Sequence, residues 1–152
     1  IKDEVSFKTI EDLRERLCLE ASQQSSLIGF VKAWPRPCLL VHAKMAFRKS
    51  EQAQLDQQKF DFKEGPVPVL RAVHVTANDP ARETGLTIFE NMRVPERSVI
   101  HRAFMEDIGN AEAEEDLSWW EASDGTRLQK RRVRVRAKRS WDSVDALIIP
   151  II

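Results

Sequence analysis

Three histidines, His42, His74 and His101, are the side chains best suited to moving a proton near neutral pH. A histidine works as general acid or base when a carboxylate holds its ring, and Asp61 and Asp79 are the acids the sequence offers to His42 and His74. Such a pair would serve a small enzyme with a cone-shaped α+β pocket, which leaves little local signature. Other chemistries leave clearer marks. The chain has no HxH, HExxH or CxxC spacing for a metal and no G-x-S-x-G turn for a nucleophilic serine. Five glycines form no phosphate-cradling loop, and tyrosine is absent. Residues alone therefore assign no catalytic group, no cofactor and no metal.

A second kind of chemistry, the binding of anions, has a stronger signal. Residues 127–139, RLQKRRVRVRAKR, hold eight of the 24 Lys and Arg residues and no acid. Val133, Val135 and Ala137 alternate with Arg132, Arg134, Arg136 and Lys138, the period of a half-buried strand with one apolar and one cationic face. Its cations, with Arg127, Lys130, Arg131 and Arg139, would suit a nucleic acid or an anionic membrane surface. Trp119 and Trp120 just before it are candidates for stacking on bases or for partner contact. Adjacent on a strand, they would point to opposite faces.

The stretch before it has the opposite sign. Residues 106–124 carry eight Asp or Glu and no Lys or Arg. Net charge is zero because two segregated blocks cancel. Acids such as Glu112, Glu114, Glu115, Asp116, Glu121 and Asp124 would repel phosphate, or fold back on the basic row, or reach a second copy. Segregation of this kind favours steering and register between proteins. Sequence alone thus points to a non-enzymatic assembly or adaptor protein, self-associating or binding a protein partner through a charge-segregated C-terminal hairpin. Nucleic acid or an anionic membrane is the other candidate ligand, and the small histidine enzyme is the alternative in kind.

Composition frames this. A chain of 152 residues with 42% hydrophobic and 32% charged residues fits one globular domain. Cys18 and Cys38 read as two buried thiols, without metal spacing, in a reducing compartment. The charged N-terminus is unlike a signal peptide, and no apolar run is long enough to span a membrane. An intracellular setting, cytoplasmic or nuclear, is expected.

These groups need elements to carry them. Ile10, Leu13, Leu17 and Ala21 predict an amphipathic helix over 10–24, capped by Thr9, after a short strand at Val5 and Phe7. A second helix over 27–34 ends at Pro35. Alternation predicts strands over 38–48, around Phe60 and Phe62, over 67–77 and over 86–91. Asn78-Asp79-Pro80 should open a single helical turn that Gly85 closes, and 95–108 fits a helix better than a strand. Residues 109–116, GNAEAEED, read as an acidic loop, and Asp124-Gly125 as the turn of a basic hairpin over 117–139. Residues 144–152 read as an apolar tail free to add a strand to a partner. The sum is α+β: a mainly antiparallel sheet with the N-terminal amphipathic helix packed on one face.

Overall fold

A computed structural model describes residues 6–17, 23–56 and 66–151. The chain is α+β, built on one five-stranded sheet whose neighbours are all antiparallel. In chain order come α1 (Phe7–Leu17), α2 (Gln23–Ala33), β1 (Leu39–Ala46), α3 (Lys49–Asp56) and β2 (Val69–Ala77). Then follow α4 (Asp79–Glu83), α5 (Val99–Met105), β3 (Asn110–Asp116), β4 (Arg132–Ser140) and β5 (Ser143–Pro150). Spatially the strands run β2-β1-β5-β4-β3, so the last strand in sequence is the middle of the sheet.

Alternation sends side chains to two different cores. Leu39, Val41, Ala43, Val133, Val135, Val144, Ala146 and Ile148 pack under α5 with Ile100, Ala103 and Trp120. The intervening residues Leu40 and Leu147 meet Phe7 and Ile10 of α1 and Leu27 and Val31 of α2 on the opposite face. The N-terminal helices thus cover one face and α5 the other. Each core leaves part of its sheet face to polar side chains, and that is where the charges lie.

Several sequence expectations change here. Residue 7 opens α1 rather than a strand, and Ser6, not Thr9, is the cap: its hydroxyl oxygen accepts the Thr9 N–H at 3.2 Å. Residues 86–91 form no strand; the adjacent 91–94 segment makes one isolated bridge, Arg71 to Arg93. The polar stretch after β1 is helical as α3. Residues 95–108 do contain a helix, α5, which starts at the Ser98 cap. Asn78 caps α4 as expected, its side-chain oxygen accepting the Ala81 N–H at 2.9 Å, and Gly85 follows with φ of 73°. The strand expected around Phe60 and Phe62, Asp61, and Cys18 lie outside the described residues. Cys38 is buried and free, and burial pushes its thiol up to about 12, so it packs as an inert apolar group.

Two larger corrections concern the C-terminal third. The acidic loop expected at 109–116 is strand β3, paired residue for residue with β4. It lacks large apolar residues, but Ala111 and Ala113 pack against the core and cations across the ladder balance its acids. The apolar tail at 144–152 is not available to a partner's sheet edge. Most of it is β5, hydrogen-bonded to β1 on one side and β4 on the other. A strand buried on both faces needs no alternation, which is why it read as a tail.

Candidate functional site

The basic row lies on β4, and its partner is β3 rather than the segment just before it. The expected hairpin over 117–139 is therefore corrected. The chain leaves β3 at Asp116, makes a short 3-10 turn over Leu117–Trp119, and returns to β4 only at Arg132. Between them Asp124-Gly125 does form a tight turn, with Gly125 at φ 90° and the Ala122 N–H donating to the Thr126 carbonyl at 2.8 Å. The turn closes a single bridge, Glu121 to Arg127, not a long ribbon. Arg127, Lys130 and Arg131 thus sit on a loop, with the Arg131 guanidinium donating to the Thr84 carbonyl at 3.1 Å.

Register brings opposite charges together on β3 and β4. Asp116, Glu114, Glu112 and Asn110 face Arg132, Arg134, Arg136 and Lys138 in turn. All eight alternate in phase, so they share one sheet face. Arg134 lies 3.5 Å from Glu112 and 3.4 Å from Glu114, Arg136 lies 3.4 Å from Glu112, and Arg132 pairs with Glu114. Lys138 reaches Glu11 of α1 at 3.3 Å. Arg139 points to the other face, 2.8 Å from Asp107 and over the ring of Phe104 at 4.6 Å. The self-repulsion of a cationic row is thus offset inside the molecule. Each exposed pair is worth about 0.2–1 kcal/mol, and the outer ones remain open to solvent.

The remaining acids of the block have separate structural tasks. Glu115 points into the core, where its carboxylate accepts the Val99 N–H at 2.6 Å and the Ser98 hydroxyl at 3.1 Å, tying β3 to the start of α5. Burial outweighs these bonds and holds its carboxyl above the usual range. Asp116 accepts the Ser118 N–H at 2.9 Å, a bond that lowers its pKa and shapes the chain after β3. Asp124 accepts the Thr126 N–H at 2.9 Å and is likewise lowered.

The two tryptophans diverge, though on a 3-10 turn rather than a strand. Trp120 is 2% exposed and belongs to the core under α5. Its ring is therefore covered by the protein itself. Trp119 lies at the surface with the Arg97 guanidinium 4.0 Å above its ring.

The histidines separate in an unexpected way. His42 and His74 are cross-strand neighbours on β1 and β2, their rings stacked with centroids 6.3 Å apart, whereas His101 lies on α5. The carboxylate at His42 is Asp145 of β5, with Oδ1 2.7 Å from Nδ1. Asp79 instead pairs with Arg82 at 3.1 Å. With Nδ1–H donating to Asp145, the neutral ring presents Nε2 as its basic nitrogen. One sequence signal pointed to Asp145: a lone acid inside an otherwise apolar run, SVDALIIP. Among the described residues no group of three or more His, Cys, Asp or Glu could hold a metal ion. No helix among them is long and apolar enough to cross a membrane.

The chain matches no family model and no curated protein.

Proposed function

We propose that this chain is a non-enzymatic assembly or adaptor module that binds a protein partner, foremost a second copy, through the β3–β4 ribbon. One observation supports it above the others: the in-register ladder of Glu112 and Glu114 against Arg132, Arg134 and Arg136. A surface carrying one acidic and one basic row side by side is self-complementary. Two copies related by a two-fold axis through that face set the acidic row of each on the basic row of the other. A polyanion finds a poorer fit, because every phosphate near the row also meets Glu112 or Glu114. Edge-to-edge pairing through β3 is disfavoured as well, since it would oppose acid to acid.

Light scattering across a salt series, with and without nucleic acid and anionic vesicles, tests the reading. The expected result is a species of twice the chain mass at low salt. It dissociates as salt rises and is lost in Glu114→Lys, and nucleic acid or vesicles add no mass. One mass at every salt concentration overturns self-association. Salt-dependent binding of nucleic acid or vesicles, abolished by reversing Arg132, Arg134 and Arg136, would transfer the basic row to a polyanion.

The 2.7 Å contact of His42 with Asp145 favours a second reading, a small enzyme in which His42 is the general base. That reading requires an activity whose pH profile follows one imidazole and which His42→Gln abolishes without loss of fold.

A further inference from the structure

At the far edge of the sheet the charge arrangement is reversed. Arg71, near the start of β2, has Lys44 of β1 as its neighbour on one side and Arg93 as its neighbour on the other. The bonds Ala72 N–H to Met92 C=O (2.8 Å) and Val94 N–H to Leu70 C=O (2.9 Å) flank the Arg71–Arg93 pair. It is thus a non-hydrogen-bonded pair, the kind in which facing side chains come closest. Like charges directly opposite one another are destabilising. Arg71 is also only 8% exposed, and among the described residues no carboxylate forms an ion pair with it. Its Nε donates to the Ala46 carbonyl at 3.3 Å and one terminal nitrogen to the Asn91 carbonyl at 2.9 Å. Of the five N–H groups of a guanidinium, three are left without a protein acceptor among the described residues.

These arginines line a cleft of about 1140 Å³, large enough for a small organic ligand. Arg48 joins Arg71 and Arg93 there; burial and the charges of Arg48 and Arg93 act against the charge of Arg71, and Glu51 offsets them in part. Acids are present but engaged: Glu96 lies 3.2 Å from Arg93, Glu51 accepts the Arg48 N–H at 3.0 Å, and Glu90 accepts the Val75 N–H at 3.4 Å. Glu121 stands at the rim on the loop tip. Two apolar side chains also line the cleft with little cover, Phe89 at 61% and Val67 at 76% exposed.

We propose that this cleft binds a small phosphate monoester, with its phosphoryl group against Arg71, Arg48 and Arg93 and its apolar body against Phe89. A phosphate dianion has the charge to relieve the repulsion among three guanidinium groups, and enough acceptor oxygens to take the free donors of Arg71. A carboxylate supplies half the charge. The site is separate from the β3–β4 ribbon, and neither reading depends on the other.

Titration calorimetry with phenyl phosphate and with inorganic phosphate, at constant ionic strength, tests the site. Both should bind, phenyl phosphate more tightly, and Phe89→Ala should narrow the difference. Loss of one charge-assisted contact weakens binding about tenfold or more. That is the expected effect in Arg48→Ala and Arg93→Ala, whose exposed side chains leave the fold intact, and in Arg71→Lys. Arg134→Ala should bind as the unchanged protein does. Absence of binding by both phosphates overturns the proposal, as does an affinity that is the same in Arg48→Ala and Arg93→Ala or that falls equally in Arg134→Ala.

Discussion

The two ends of the sheet solve the same electrostatic problem in opposite ways. On β3–β4 each of Arg132, Arg134 and Arg136 has a glutamate within reach and an acid directly opposite it on β3. At the β2 edge, Lys44, Arg71 and Arg93 follow one another across three neighbouring segments without an acid in the row. The difference is one of register rather than composition. Sequence gives the first region a block of acids and a block of bases, and pairing interleaves them. It gives the second scattered cations, and pairing concentrates them. A concentrated charge that folding tolerates is the better pointer to an external ligand, because the acids nearby, Glu51 and Glu96, offset it only in part.

Four measurements would break or sharpen this comparison. The largest effect belongs to Glu115, the acid of β3 that turns away from the ladder. Glu115→Ala should destabilise by about 2–4 kcal/mol in chemical denaturation, since the Val99 N–H and Ser98 hydroxyl lose a buried partner. Its carboxyl is raised in the folded state. Its stabilising share is therefore fully present below the unfolded-state carboxylate pKa and is lost as pH rises through the higher folded value. Glu115→Gln should flatten that part of the stability–pH curve; an unchanged curve would show that the buried group is not the one titrating.

Next comes Arg71. Arg71→Met should cost about 1–3 kcal/mol, because the Ala46 and Asn91 carbonyls lose their donors even as repulsion is relieved. A gain in stability would mean that repulsion at this edge outweighs both bonds. Third, Glu114→Lys places a cation between Arg132 and Arg134 and should cost about 1 kcal/mol at low salt, shrinking as salt is added. Salt independence would mark the ladder as electrostatically idle. The smallest effect runs the other way. Arg93→Glu turns the like pair with Arg71 into an opposite pair but gives up the exposed pair with Glu96, so the net stabilisation should stay below about 0.5 kcal/mol, read as a small rise in Tm.

Much of the fold was legible in the residues because its periodicities are local. The β4 alternation, the β1 alternation, the Asn78 cap of α4 and the Asp124-Gly125 turn each depend on a few neighbouring residues, and each is present. The misread elements depend on something distant. NAEAEED has no apolar stripe of its own and becomes a strand because β4 supplies hydrogen bonds and counter-charge. SVDALIIP has no polar face because the sheet continues on both sides of it and cores cover both faces. The candidate sites follow the same division. The eight cations of 127–139 were visible as a cluster, but only five of them lie on β4. Arg71 was invisible: one arginine in VPVLRAVHV carries no signal until its neighbours across the sheet are known.

By itself, then, the sequence determined the α+β class, the cationic face of β4 and the segregation of its charges, because period-two alternation and composition are properties of the chain. Tertiary structure alone decided that Glu112 and Glu114 lie against that face, that His42 meets Asp145, and that Arg71 meets Arg93. Cross-strand register fixes which side chains touch. Between β2 and β1 the register shifts at His42/Ala43, where Val73 is the extra residue, so that Arg71 comes opposite Lys44. No local pattern in either strand records that shift.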